Sequence, residues 1–265
     1  MKVSIITVCY NSEDTIGDTI KSVASQSYPN IEYIIVDGGS TDQTINIVKS
    51  WGDRVNIFIS EPDRGIYDAM NKGIMQATGE IIGVLNSDDV FEANSVIAEI
   101  AQVFEDNAAC QCVYGDLLYV SSQDMNKVLR YWESGNFTKN CFYYGWMPPH
   151  PTFYVRRSVF DRFGYYLAEL QVAADYEFML RILGKHQQPV EYIKKVLVRM
   201  RAGGVSNKSI VNRRRSFQEN YTAWRVNELK PYPFTIPLKI LRKLGQYVKR
   251  GHIRMADGGE GVKYR

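Results

Sequence analysis

Asp88 and Asp89 stand side by side just after a short apolar run, Ile81-Ile82-Gly83-Val84-Leu85, with Asn86-Ser87 between. Such a run reads as a buried central strand, which delivers the acid pair to the carboxyl edge of an α/β sheet, where open sheets bind ligands. Adjacent carboxylates at a partly dry edge repel and take up protons unless a hard, oxygen-preferring cation neutralises them. One chemistry for the pair is therefore a divalent metal held by Asp88 or Asp89 and shared with substrate phosphates. The plainer alternative is a cap, with Ser87 or Asp88 closing the next helix and Asp89 favouring its dipole. Two further carboxylates fall at comparable places. Asp37 follows the apolar stretch 31–36 and opens Asp37-Gly38-Gly39-Ser40-Thr41-Asp42, whose glycines permit a tight turn. Asp175 starts an amphipathic stretch, where it is either a plain N-cap or a general base facing a cleft.

The elements that must position these groups alternate. Residues 3–8 read as a first strand and Tyr10-Asn11-Ser12 as the turn after it; Ile16, Ile20 and Val23 give a helix over 14–26, capped by Ser12 or Asp14. A strand at 31–36 precedes a helix that starts at Thr41 or Asp42 and runs through Ser50. A strand at 55–59 and a helix at 66–77, with Ile66, Met70 and Ile74 on one face, lead into the run before the acid pair. That alternation predicts a parallel sheet with right-handed helical crossovers. Three acid-bearing or polar loops, at Tyr10-Asn11, Asp37-Gly38 and Asp88-Asp89, then converge on one edge. Beyond Asp89 the alternation fades into a helix at 95–104 and an antiparallel hairpin of 110–120 with 127–132. An aromatic, proline-rich loop at 142–151 enters a strand at 152–155. The loop reads equally as a lid, as an acceptor-binding wall or as a cover for the sheet.

Composition bounds the rest. The chain has 265 residues, 45% of them hydrophobic, enough for one large α/β domain with an appendage. The four cysteines form no Cys-x-x-Cys pair, so buried thiols in a reducing compartment are expected rather than a zinc site. The N-terminal apolar run is too short for a signal peptide or a membrane span, which points to the cytoplasm. The net charge of +3 hides an asymmetry: residues 1–193 carry 14 Lys and Arg against 25 Asp and Glu, and 194–254 carry 16 against 2. A basic tail of that kind calls for an anionic partner.

Taken together these segments resemble family 2 glycosyltransferases with the A-type nucleotide-diphospho-sugar fold, in the branch that builds bacterial surface polysaccharides. The segments are Val3-Ser4-Ile5-Ile6-Thr7-Val8-Cys9-Tyr10-Asn11, Ile34-Ile35-Val36-Asp37-Gly38-Gly39-Ser40-Thr41-Asp42, Pro62-Asp63-Arg64-Gly65-Ile66-Tyr67-Asp68-Ala69-Met70-Asn71-Lys72-Gly73, 77–89 and Ala174-Asp175-Tyr176-Glu177. The resemblance spans about residues 1–185 in the family's order, which makes the set more specific than any one motif. It implies a Rossmann-like, mostly parallel sheet flanked by helices, with a smaller antiparallel acceptor-side part and a helical C-terminal tail. The catalytic domain would cover 1–229, with a nucleotide-binding half at 1–90 and an acceptor-side half at 91–229, and the basic tail 230–265. It also implies roles. Asp37 would accept a hydrogen bond from the nucleotide base, framed by Thr7, Tyr10 and Asn11; Arg64 and Asn71 would line the nucleotide pocket. Ser87 and Asp88 would face the ribose, and Asp89, with Asp88, would bind Mn²⁺ or Mg²⁺. Asp175 would be the catalytic base of an inverting transfer from a nucleotide-diphospho-sugar, most simply a UDP-sugar. Trp146 and His150 are acceptor-side candidates, although a lone His is more often structural. Asn86-Ser87 departs from the Asp-x-Asp arrangement of many members, which leaves the number of metal-binding side chains open.

The implied acceptor is a glycan or lipid-linked hydroxyl. Residues 234–250, where Leu238, Leu241, Leu244 and Val248 alternate with Lys and Arg, suit a helix lying on the anionic inner face of a membrane, and equally one packed on the body or on a second subunit of a homo-oligomer. A helix over 217–229 would carry Tyr221 and Trp224 on one face. Basic residues 199–215, with a flexible turn at Gly203-Gly204-Val205-Ser206, would be a solvated surface or a diphosphate contact, and 255–265 would be weakly held. No basic stretch interleaves with a nucleic-acid recognition motif. A sugar-phosphate nucleotidyltransferase, the rival enzyme, needs a glycine-rich basic loop after the first strand, and Thr7-Val8-Cys9-Tyr10-Asn11-Ser12 has no Gly, Lys or Arg. A non-catalytic carbohydrate-binding relative is the second rival.

Overall fold

A computed structural model of the chain describes residues 1–203, 210–248, 253–254 and 263–264. Four parallel strands form its first half: β1 (Val3–Cys9), β2 (Ile31–Asp37), β3 (Ile57–Ser60) and β4 (Ile81–Val84), in spatial order β3-β2-β1-β4. The crossovers are α1 (Ile16–Ala24), α2 (Thr44–Ser50) and α3 (Ile66–Gln76). All seven residues of β1 are buried, as the near-continuous apolar run requires of a strand covered on both faces. Its alternate side chains divide between two cores: Val3 and Ile5 pack with Ile16, Ile20 and Phe104 on one face, while Ile6 and Val8 pack with Met70, Ile74 and Phe178 on the other.

The second half reverses direction. Strand β5 (Asp89–Phe91) follows β4 at once, and α4 (Val96–Asp106), β6 (Cys112–Val120), β7 (Val128–Trp132), β8 (Tyr154–Arg156) and α5 (Arg157–Phe163) come next. Helix α6 (Ala174–Met179) continues as a wider π-wound turn, Leu180–Lys185, before β9 (Val190–Arg201), α7 (Ile210–Val226) and α8 (Thr235–Val248). Strand β8 runs antiparallel to both β4 and β6, β9 runs parallel to β6, and β5 and β7 pair antiparallel with β9 and β6. The nine-stranded sheet is thus mostly parallel at one end and mixed at the other. Gly83 lets the halves meet, because a Cβ there would overlap the Tyr154 ring of β8.

The expected strands, the hairpin and the helices of the first half are present, with several differences. The capping alternative for Asp88-Asp89 fails: the next element is a strand, and α4 begins seven residues later behind Ser95. The N-caps of α1 and α2 are Thr15 and Gln43, which make no side-chain cap bonds, although Asp42, one residue earlier, accepts from the Thr44 N–H at 3.0 Å. Thr152 lies in a 3-10 turn, and β8 starts at Tyr154. Strand β9 and α5 were not expected; Lys194 and Lys195 interrupt the apolar run that would have marked β9. Trp224 is fully buried whereas Tyr221 is exposed, so the two do not share an environment. Apart from Gly203, the turn at 203–206 lies outside the described residues, as does the expectation for 255–265 apart from the short pairing of β10 (Ile253–Arg254) with β11 (Lys263–Tyr264).

Much of the basic C-terminal part answers the acidic body. Arg199 pairs with Glu92, Arg201 with Asp18, and Lys195 with Glu99. Helix α8 folds back onto the body through buried Thr235 and Ile236, and the Thr235 hydroxyl donates to the Tyr143 carbonyl at 2.7 Å. Gly145, at φ +74°, lies so close to the α8 backbone at Leu238 and Lys239 that a Cβ would overlap it. Gly145→Ala should cost about 1–3 kcal/mol and speed hydrogen exchange in 235–248; unchanged exchange there would contradict this packing.

Candidate active site

The register aligns the ends of three strands. Cys9 lies opposite Asp37 and Asp37 opposite Ser60, while Leu85, just past β4, donates its N–H to the Ile6 carbonyl at 2.9 Å. The loops beyond are stitched together. Asn11, in a left-handed conformation at φ +47°, accepts from the Thr41 N–H at 2.9 Å and donates its own N–H to Ser40 Oγ at 2.8 Å. Ser12 Oγ and Ser87 Oγ share a hydrogen bond of 2.9 Å, which ties the first loop to the acid-bearing one. Asp37 is fully buried and shapes its turn: Oδ2 accepts from the Gly39 and Ser40 N–H groups and from Ser60 Oγ, and Oδ1 from Ser40 Oγ. Burial, together with Asp37, pushes the Cys9 thiol far up. Thr7 is buried within the β1–β2 pairing, where its hydroxyl accepts from the Tyr33 hydroxyl, while Tyr10 is 62% exposed.

Arg64 and Asn71 have local partners. Arg64 pairs with Asp68 and is otherwise open to solvent. Asn71 clasps the Tyr166 main chain with both ends of its amide, at 2.8 and 3.1 Å, which fixes the segment before α6.

Of the acid pair, Asp88 is half-buried and Asp89 lies inside. Asp89 is fully buried; Oδ2 accepts from Asn86 Nδ2 at 3.1 Å, and Oδ1 has no hydrogen-bond partner, nor has buried Asn86 Oδ1. Burial and the neighbouring Asp88 push the Asp89 carboxyl well above the carboxylate range, against the pull of Asn86 and Arg201. Arg201, at the end of β9, reaches the Asp88 carbonyl and Asp18 while its own Nε has no partner. Unsatisfied buried oxygens call for an explanation, and oxygen donors fit a hard cation. Among the described residues no three His, Cys, Asp or Glu side chains are placed to enclose a metal ion, so remaining ligands would have to come from a substrate or water.

Asp175 lies in the first turn of α6. The Tyr67 hydroxyl donates to its Oδ1 at 3.0 Å. Half-buried Tyr119 on β6 lies within electrostatic reach of both Asp89 and Asp175. Asp175 also acts on His150, Lys239 and Lys243. His150 shares a 3.0 Å hydrogen bond with the Tyr166 hydroxyl, and burial lowers its proton affinity. Trp146 is buried among Tyr114, Phe137 and Phe142, and its indole N–H donates to the Ser134 carbonyl at 2.7 Å. The aromatic loop is therefore a cover for the core.

Sequence reasoning missed Tyr67 and Tyr119 as neighbours of the site; Arg201 stood in the basic stretch read as a solvated surface or a diphosphate contact, and Lys239 appeared only as part of a basic helix. Lys239 Nζ lies 3.3 Å from the centroid of the Tyr176 ring and donates to Asn220 Oδ1. Burial, aided by Lys243 and opposed by Asp175, brings the ammonium down to about 7. The unfolded chain thus holds the proton up to a higher pH, and the native state carries its largest penalty when Lys239 is charged, at low pH. Lys239→Met should gain stability relative to the unsubstituted protein at pH 6 and less at pH 9; a difference in melting temperature that does not shrink with pH would contradict this.

The sequence profile of Glycosyl transferase family 2 matches residues 4–164. A PGL/p-HBAD biosynthesis glycosyltransferase of Mycobacterium bovis (strain BCG / Pasteur 1173P2) is 29% identical over 216 residues, 77% of this chain and 78% of the relative. Among solved structures, S. aureus TarS 1-349 in complex with UDP-GlcNAc superposes with a TM-score of 0.67 at 22% identity, over 86% of this chain and 65% of that one. Mannosyltransferase PcManGT from Pyrobaculum calidifontis, in complex with GDP-Man and Mn2+, gives 0.63 at 19%, over 91% and 69%. Those two likenesses concern the fold, which is the A-type glycosyltransferase fold. The family match runs from β1 through α5, across the loops that carry Asp37, Asp88 and Asp89, and on that ground the chain belongs to glycosyl transferase family 2.

Proposed function

We propose that this glycosyltransferase moves a sugar from a nucleotide-diphospho-sugar, a UDP-sugar in the simplest case, to an acceptor hydroxyl of a surface glycan, with inversion and with Mn²⁺ or Mg²⁺. The observation that carries the reading is the unpartnered Oδ1 of buried Asp89, with Asp175 within electrostatic reach of the same Tyr119 hydroxyl. The relative named for PGL/p-HBAD biosynthesis and the neighbours solved with UDP-GlcNAc and with GDP-Man and Mn2+ support it.

The nucleotide is assigned to the stitched rim, with the base near Tyr10, Asn11 and the turn that Asp37 holds, and the ribose near Ser87 and Asp88. Asp89, with Asn86 beside it and Asp88 next in the chain, would hold the metal, and a bound divalent ion supplies charge stabilisation for the departing diphosphate. As the acceptor oxygen bonds to the anomeric carbon, the bond from that carbon to the diphosphate oxygen breaks. Asp175 takes the acceptor proton, oriented by the Tyr67 hydroxyl. A single displacement inverts the anomeric centre. The aromatic cover would keep water from competing for the donor. A non-catalytic relative would bind donor without turnover in the unsubstituted protein, so product formation separates that reading.

Asp175→Asn should retain the rise in melting temperature given by a UDP-sugar with Mn²⁺ and lose about 10²–10⁴ in transfer rate; turnover equal to that of the unsubstituted enzyme would remove Asp175 from the mechanism. Asp89→Asn should melt no lower without ligand, since it replaces a buried acid whose ionised form burial and Asp88 already disfavour, and should lose the manganese-dependent part of the donor-induced rise. A full manganese effect in that variant would move the metal elsewhere.

A further inference from the structure

The cavity of about 250 Å³ between β7, the aromatic loop and α8 is lined by Trp132, Trp146, Lys239, Arg242, Lys243 and Gln246, with Glu133 and Ser134 at its edge. None of the loops on the nucleotide side, at 9–12, 37–42, 60–65 or 86–89, contributes to its lining. Its Lys239 nevertheless stacks on the ring of Tyr176, the residue after Asp175, with Nζ 3.3 Å from the ring centroid, so the cavity adjoins the start of α6. Three basic side chains line it against one carboxylate, Lys239 with its ammonium brought down to about 7, and buried Gln246 Oε1 has no hydrogen-bond partner, an acceptor left for a hydroxyl. The indole edges add the apolar surface on which sugar rings pack.

Helix α8 carries a second face. Lys239, Arg242, Lys243 and Gln246 turn to the cavity, while Ile240, Leu241, Leu244 and Tyr247 are each more than half exposed. Tyr144, Tyr232 and Phe234 extend that apolar surface at the start of the helix. Residues three and four apart share a helix face, so the cationic and apolar stripes run side by side along one axis. The ligand that matches both stripes has an anionic group next to a sugar and an apolar chain leading away from it.

We propose that this cavity binds the phosphate of a lipid-linked acceptor, which presents its sugar hydroxyl to Asp175 while its lipid chain leaves along the exposed face of α8. The proposal rests on the reading of Asp175 as the acceptor-side base and names the acceptor's chemical class. Arginine and lysine both suit phosphate oxygens, and a cavity of this size takes the headgroup but no lipid chain. No helix among the described residues is long and apolar enough to cross a membrane, so the chain would meet its lipid from the surface.

Equilibrium binding to the full chain, without donor and below micellar concentrations, tests this with three probes: dodecyl glucosyl phosphate, dodecyl glucoside and methyl glucosyl phosphate. The dodecyl phosphate should bind at least about ten-fold more tightly than the dodecyl glucoside, a preference that weakens with added salt, and more tightly than the methyl phosphate. The double variant Arg242→Ala, Lys243→Ala, whose side chains are exposed, should lose the preference for phosphate. Leu241→Ser with Leu244→Ser should lose the preference for the dodecyl chain. Both variants should melt as the unsubstituted protein does and keep its donor-induced rise. Equal binding of phosphate and glucoside, or a phosphate preference that survives the first double variant, would overturn the proposal. Equal binding of the dodecyl and methyl phosphates would overturn the lipid route in favour of a water-soluble acceptor. A donor-induced rise lost along with the phosphate preference would assign these cations to the donor and overturn it too. Failure of the donor reading itself would show separately, as no rise in the unsubstituted protein with any nucleotide sugar.

Discussion

The structure turns on a carboxylate in a place where it has too few partners. Asp89 is fully buried, one oxygen rests on Asn86, and the other has no donor. A group of that kind is costly in a folded protein, of order 1–3 kcal/mol when left unpaired, and here its neighbour Asp88 adds like-charge repulsion. The surrounding elements hold it in place anyway. Strand β5 starts on Asp89 and is locked to β9, Arg201 from the end of β9 reaches the Asp88 carbonyl, and the Thr19 hydroxyl of α1 donates to the Asp89 carbonyl at 2.9 Å. A fold that fixes an incompletely satisfied acid so firmly is arranged for a partner that arrives with charge.

The parallel half supplies the frame for that partner. Register brings Cys9, Asp37 and Ser60 to one row, and the loops beyond them are joined by short side-chain bonds rather than left to move independently. Asp37 contributes mainly by shaping its turn, since its oxygens already accept from Gly39, Ser40 and Ser60. The mixed half brings Asp175 in from the other side, on a helix steadied by Trp224, whose indole N–H donates to the Tyr176 hydroxyl at 2.9 Å. The two halves meet where Gly83 admits the Tyr154 ring.

The first half was legible because buried parallel strands are written as apolar runs, and helices such as α1 and α3 as apolar residues at helical spacing. The convergence of Asp37 and Asp89 on one edge followed from counting alternations. What was not legible depended on long-range pairing. Strand β9 has Lys194 and Lys195 in its course, and only its pairing with β6 and β5 makes it a strand. Tyr67 reads as one more residue of α3 until Asp175, 108 residues away, is set against it. The basic tail was visible as a charge excess, but its partners were not: Glu92, Asp18 and Glu99 lie far back in the chain, and salt-bridge pairing leaves no local pattern. Helix α8 showed its amphipathic spacing without showing that its cationic side would close a cavity against the aromatic loop.

The central claim is that a divalent ion at the Asp89 carboxylate completes a donor site that the protein leaves open. The most direct measurement is anomalous diffraction at the manganese edge from crystals soaked with UDP and Mn²⁺. The account predicts one strong peak in coordination contact with Asp89 Oδ1 and with the diphosphate oxygens. A diphosphate bound in the cleft with manganese absent from Asp89, or manganese held at a site remote from it, would contradict the account.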